Sequence, residues 1–102
     1  MKKFILYLGL NDKDTKNQKI TTKQALKKCN DLLLQYVEGA TVYQANGIYK
    51  HLNSQTITEK TFIIELLFTN KTTVLKISND LKKIFNQEAI AIQEESVNSY
   101  LV

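Results

Sequence analysis

The segment Phe4-Ile5-Leu6-Tyr7-Leu8-Gly9-Leu10 constrains this chain more than any other, because it is apolar on both sides of a strand. Side chains of an extended segment alternate between two faces. Phe4, Leu6, Leu8 and Leu10 therefore share one face, and Ile5, Tyr7 and Gly9 the other. A strand that is apolar on both faces belongs at the centre of a sheet that is covered on both sides. Gly9 interrupts one of those faces and marks a bulge or a close approach. The strand, residues 4–11, runs directly into a polar loop over residues 12–20, and Asn11 to Gln18 gather many of the chain's candidate ligand groups. The opening Met-Lys-Lys before an apolar stretch has the look of a secretory leader. The apolar run, however, stops at Leu10 against Asn-Asp-Lys-Asp with no small-residue cleavage site, so a strand is expected.

After the loop the apolar period changes from two to between three and four. Ala25, Leu26, Cys29, Leu33, Tyr36 and Val37 recur at helical spacing, which predicts a helix to about residue 37 with one buried stripe. Thr21 or Thr22 reads as its N-cap, Thr21 with Gln24 forming a loose capping box, and Gly39 as its stop. Residues 41–51 read as a second strand, with Asn46-Gly47 taken as a bulge in it and not as a hairpin turn. Residues 52–59 connect it to a third strand, residues 60–69, in which Phe62, Ile64, Leu66 and Phe68 face the core. Ile63, Glu65 and Leu67 face the other way. A second helix over residues 71–86 carries Val74, Ile77, Leu81, Ile84 and Phe85 on one side, and residues 89–93 form a last short strand.

The order β-α-β-β-α-β predicts an α+β, ferredoxin-like domain: a four-stranded antiparallel sheet in the order 4-1-3-2 with two helices on one face. At 102 residues one domain is expected, spanning residues 1–93, with 94–102 as a C-terminal tail. Two helices cover one face of the sheet. The other then carries Ile5, Tyr7, Ile63, Glu65 and Leu67, with Ile90 or its neighbours, which is too apolar to leave in water. The first partner expected is therefore a second copy of the chain, as a homo-oligomer.

Composition removes several classes of function. Net charge is +4, but all 14 cationic residues are lysines, scattered along the chain. Without arginine there is no bidentate contact to guanine or phosphate, so a dedicated nucleic-acid binder is not expected. No apolar run approaches the roughly 20 residues of a membrane helix, so no membrane partner is expected. The single Cys29 has no disulfide partner, which fits a cytoplasmic setting, and its place on a helix face makes it a small core residue and not a nucleophile. One His and one Cys supply no metal-ligand pattern. Gly9, Gly39 and Gly47 are too far apart for a phosphate-binding loop, and there is no serine elbow. Asn11-Asp12-Lys13-Asp14 alternates oxygen ligands as a calcium loop does, but Lys16 stands where glycine is needed and Thr22 where the bidentate glutamate is needed. No catalytic residue, metal or cofactor is assigned.

The candidate ligand-binding residues are Tyr7, Asn11, Asp12, Lys16, Tyr43, Tyr49 and Glu65. Lys13 or Lys16 on the loop would meet an anion. The tyrosines supply flat apolar surface with a hydroxyl. Tyr7 and Glu65 fall as neighbours on the free face, where a carboxylate in apolar surroundings would acquire a raised pKa and act as a base. The preferred reading sets Glu65 at a subunit boundary, hydrogen-bonded to a tyrosine or lysine of a partner. His51 falls at a strand end and is expected to be exposed. Glu59 and Asn86-Gln87-Glu88 are explained by caps and turns.

Gly9-Leu10, Thr41-Val42, Gly47-Ile48-Tyr49, Glu59 and Asn86-Gln87-Glu88 together resemble a family of small uncharacterised bacterial and phage domains over most of the chain. That resemblance implies no known activity. At the level of fold, the layout is similar to PII-like signalling proteins, and the similarity implies trimers that bind nucleotides in clefts between subunits. The chain departs from them in its short connection between the second and third strands and in its lack of arginine. The function expected is a non-catalytic homo-oligomeric module that binds a small anionic or nucleotide-like ligand between subunits. Two alternatives stand beside it. One is a phage-type inhibitor acting on a host protein. The other is a small enzyme of the dimeric α+β barrel kind that uses Tyr7, Glu65 or His51.

Overall fold

A computed structural model describes residues 1–50 and 53–102. Its elements are β1 (Lys2–Gly9), α1 (Thr22–Tyr36), β2 (Thr41–Lys50), β3 (Thr56–Leu66), α2 (Lys71–Ile84) and β4 (Ala91–Ser96). The sheet order is β2-β3-β1-β4, with every neighbouring pair antiparallel. This is the α+β layout expected. His51 lies outside the described residues.

The core lies between the sheet and the two helices. Phe4, Leu6, Leu8 and Leu10 meet Phe62, Ile64 and Leu66 of β3, and beneath them Ala25, Cys29, Leu32 and Leu33 of α1 and Val74, Ile77 and Leu81 of α2 are buried. Truncating one of these large side chains, Phe62→Ala for example, removes about 3–5 kcal/mol. Burial pushes the Cys29 thiol up to about 11, so it packs as a small apolar group.

Several boundaries differ from expectation for identifiable reasons. Leu26, Tyr36 and Ile84 are exposed, and Leu32 takes the place of one of them in the core. Tyr36 instead sends its hydroxyl across to donate to Asp80 of α2. Thr21 caps α1 in a complete capping box with Gln24, but Val37 ends the helix in extended backbone and Gly39 is not left-handed. Gly47 pairs regularly with Glu59 inside β2, without a bulge. β3 begins at Thr56, earlier than residue 60. The pairs Asn46↔Lys60 to Lys50↔Thr56 thus form a two-stranded ribbon beyond the last β1 pair, Gly9↔Thr61. β4 starts two residues later than expected and continues to Ser96. Ile90 packs on the core side, leaving Ala91, Gln93 and Glu95 on the free face.

Candidate functional site

The register sets out the helix-free face row by row. Tyr7, Ile63 and Tyr43 form one row; Gly9, Thr61 and Ala45 the next. Glu59 and Gly47 follow, then Ile57 and Tyr49 on the ribbon. The middle rows are a shallow trough of small residues, with Tyr7 and Tyr43 on one side and Tyr49 on the other.

The Glu59 carboxylate lies in this trough, against the backbone of Gly9. A Cβ placed on Gly9 would stand 2.5 Å from Glu59 Oε1, and one on Gly47 would stand 3.0 Å from Thr61 Oγ1. Both glycines therefore make room, and neither marks a bulge. Glu59 Oε2 accepts a hydrogen bond from the Asn11 backbone N–H at 3.0 Å. Among the described residues that is the single hydrogen bond to this carboxylate. Tyr49 stands diagonally across the ribbon, and its phenol is pushed up, first by burial and then by the charge of Glu59.

The loop beneath is rigidly tied. Asp12 Oδ2 accepts from the N–H groups of Asp14 and Thr15, both at 3.0 Å, while Asn86 Nδ2 donates to Asp12 Oδ1 at 2.7 Å and to Asp14 Oδ2 at 2.9 Å. Lys19 Nζ adds an ion contact at 3.7 Å. The Asn86 amide first, then the Thr15 N–H, hold the Asp12 carboxyl well below the usual carboxylate range. Gln87 Nε2 donates to the Asn11 carbonyl at 2.6 Å. The end of α2 thus fixes Asn11, and Asn11 fixes Glu59.

The residues singled out from sequence separate into three groups. Tyr7, Tyr43 and Tyr49 share the free face, and Tyr7 donates to Gln93 Oε1 at 3.0 Å. Asn11 and Asp12 lie beneath the trough as supports, and Lys16 is on the exposed loop with a left-handed φ of 63°. Glu65 lies on the same face as Tyr7, one row away. It is paired in register with Ile5 and bound to Lys3 Nζ at 2.7 Å, and that hydrogen bond is the main reason the Lys3 ammonium is pushed up. Glu65 thus has a cation partner in its own chain, in place of an apolar pocket. It borders an open hollow of about 1010 Å³ at the opposite end of the sheet, whose lining includes Leu67, Phe68 and Leu101. Tyr7 is not part of that lining.

Glu59, Thr61 and Gln87 were not singled out as ligand groups from sequence. The available signal was the pair Gly9 and Gly47, each breaking a face of large side chains. Among the described residues no group of three or more His, Cys, Asp or Glu is placed to hold a metal ion. No helix among them is long and apolar enough to cross a membrane.

Fold and site together define a small ferredoxin-like α+β protein with a carboxylate set in the open face of its sheet. The chain belongs to the family described as Protein of unknown function (DUF3574), which it matches over residues 3–100. No curated protein matches it. Among solved structures it is similar to a phage SAM lyase in the apo state, at 18% identity over 92% of this chain and 78% of that one, with a TM-score of 0.71. A phage SAM lyase in complex with S-methyl-5'-thioadenosine matches at 19% identity over 92% of this chain and 79% of that one, TM-score 0.67. The periplasmic divalent cation tolerance protein CutA from Archaeoglobus fulgidus matches at 12% identity over 99% and 88%, TM-score 0.61. At these identities the likeness shows the fold alone.

Proposed function

We propose that this protein is a homo-oligomeric binding module whose ligand is small and nucleoside-like, held in the trough over Gly9 and Gly47. The observation that carries it is Glu59. It is a carboxylate anchored at one oxygen by a backbone N–H, set between glycines and beside Tyr49. A carboxylate oxygen accepts from sugar hydroxyls, and tyrosine rings stack on a base. Tyr7 and Tyr43 supply the opposite wall. Lys16, with Lys13 and Lys19 on the same loop, offers positive charge to any anionic group of the ligand. A buried, unpaired Cys29 suits a reducing cytoplasm. The S-methyl-5'-thioadenosine held by a protein of the same fold supports the ligand class. Association follows from the free face, where Ile5, Ile63 and the tyrosines have no helix to cover them.

Isothermal titration calorimetry with S-methyl-5'-thioadenosine tests the ligand. Wild-type protein is expected to bind, and Glu59→Gln and Tyr49→Ala to weaken binding at least about tenfold, some 1.4 kcal/mol. Absence of binding to the folded wild type, or equal binding by all three proteins, overturns it.

A catalytic use of the same trough has one observation in its favour. Glu59 Oε1 has no hydrogen-bond donor among the described residues and lies close to a tyrosine, as a general base would. Incubation with S-adenosylmethionine, with chromatographic detection of S-methyl-5'-thioadenosine, separates a lyase from a binder.

A further inference from the structure

We propose that the end of the molecule formed by the loop after β1 and the projecting β2-β3 ribbon docks on an anionic lipid surface. This function is separate from the trough and does not depend on assembly.

The lysines are scattered in the chain, and the fold gathers them. The Leu10 N–H donates to Lys60 O, and Lys60 Nζ donates to Thr22 Oγ1 at 3.3 Å, so the loop and the start of α1 lie at the base of the ribbon. The Lys13 N–H donates to Asn86 O, which brings in the last turn of α2. This end therefore holds Lys13, Lys16, Lys19 and Lys23 from the loop and α1. The ribbon adds Lys50 and Lys60, and α2 adds Lys82 and Lys83. Four carboxylates lie there too, those of Asp12, Asp14, Glu59 and Glu88. Eight lysines against four carboxylates account for the whole net charge of +4, because the other six of the 14 lysines meet the other six of the ten carboxylates. Three of the four carboxylates here are also engaged inward. Asp12 is buried, Asp14 is held by Asn86 and Glu59 lies against Gly9. Among the described residues, Lys19 alone of the eight lysines has a carboxylate as ion partner.

Chemistry chooses the partner. A lysine ammonium is a hydrated point charge, without the planar fork that arginine fits to a single phosphate or guanine. A set of lysines answers a diffuse negative surface, which a bilayer and a nucleic acid both offer. The ribbon decides between them. It stands past the last β1 pair and leaves Ile48 70% exposed and Tyr49 43% exposed. Being adjacent on a strand, these two side chains point to opposite faces, so the ribbon is apolar on both. Isoleucine gains nothing from a phosphate backbone, but it partitions into the boundary between headgroups and acyl chains. Tyrosine sits at that same level, its ring in the apolar layer and its hydroxyl in the wet one. Shallow insertion is weak alone, and attraction of the surrounding lysines to anionic headgroups supplies the second signal. Such a contact lies on the membrane and needs no spanning helix.

Co-sedimentation with vesicles of equal parts phosphatidylcholine and phosphatidylglycerol tests this, with vesicles of phosphatidylcholine alone beside them. The wild type is expected to pellet with the first and not with the second, and to be released as salt is raised. Lys13→Glu with Lys83→Glu should weaken partitioning at least about tenfold. Lys2→Glu with Lys71→Glu makes the same change of charge at the far end of the molecule and should leave partitioning within about threefold. Ile48→Ser should weaken it about fivefold. Circular dichroism checks that each variant is folded. Ile48→Trp gives a readout that does not rely on the charge variants, since the chain has no tryptophan of its own. Its emission should shift to the blue on the anionic vesicles and stay unchanged on the neutral ones. The proposal falls if the folded wild type does not pellet, if both charge pairs lose binding equally, or if the bound tryptophan is unshifted. Binding of a single-stranded oligonucleotide with no partitioning to vesicles at the same salt gives the lysines to a nucleic acid and overturns it as well.

Discussion

Asp12 ties together a turn, a helix end and a lysine that lie far apart in the chain. Its two oxygens take two backbone N–H groups and the Asn86 amide, and only Lys19 adds charge. All of these favour the ionised form, so its carboxyl titrates lower in the folded chain than in the unfolded one. A depressed carboxyl contributes its stability above the unfolded pKa, about 3.9, and loses it as pH falls through the folded value. Stability is therefore expected to be level from pH 7 to about 5 and to decline below that. Asp12→Asn should lower stability at pH 7 and flatten the acid limb, because no charge is then left to lose. Urea unfolding at pH 7, 5 and 3 measures both slopes. Equal acid limbs in the two proteins would show that Asp12 is not the group responsible.

At the scale of elements, the end of α2 matters most to the site. Phe85 caps the helix, and Asn86 follows with a left-handed φ of 46°. The Asn86 N–H returns to Lys83 O and the Gln87 N–H to Lys82 O, which closes the helix as a Schellman motif. Glycine is the usual residue at that position. Asparagine tolerates it, and here its side chain also holds Asp12 and Asp14. Asn86→Gly keeps the backbone and loses the side-chain bonds, a loss of about 1–2 kcal/mol. Asn86→Ala loses the bonds and also strains the backbone, adding about 1 kcal/mol. Chemical denaturation should therefore rank wild type above glycine and glycine above alanine. An alanine variant as stable as the glycine one would mean that backbone strain at residue 86 is negligible.

The whole molecule measures 47 × 25 × 23 Å, elongated in keeping with a ribbon that projects past the sheet. Its helix-side core is complete within one chain; its other face and both sheet edges are not. Assembly should then support folding by mass action. For a dimer that unfolds as it dissociates, tenfold more protein adds about 1.4 kcal/mol of apparent stability. Guanidinium unfolding at two protein concentrations a hundredfold apart should show the midpoint rising with concentration. A midpoint that does not move would mean that the monomer carries all the stability.

Alternation in β1 and β3 and helical spacing around Cys29 and Ile77 were enough to give the element order, the buried face of the sheet and the free face opposite it. These are local periodicities, and each residue bears its own share of them. Leu26, Tyr36 and Ile84 escaped that logic, because which residues of an apolar stripe are buried depends on how the two helices sit over the sheet. Tyr43 and Tyr49 were legible as sharing one face of their strand by alternation, but only the register sets that face on the same side as Tyr7. The Glu59 trough was not legible. Glu59 reads as a cap or turn residue at the end of a connection, Gly9 as a bulge or a close approach, and Gly47 as part of a bulge. Only the pairing register sets them together, with Asn11 and the end of α2 beneath. Periodicity along the chain thus decided the fold, and contacts between distant segments decided where a carboxylate comes to rest on it.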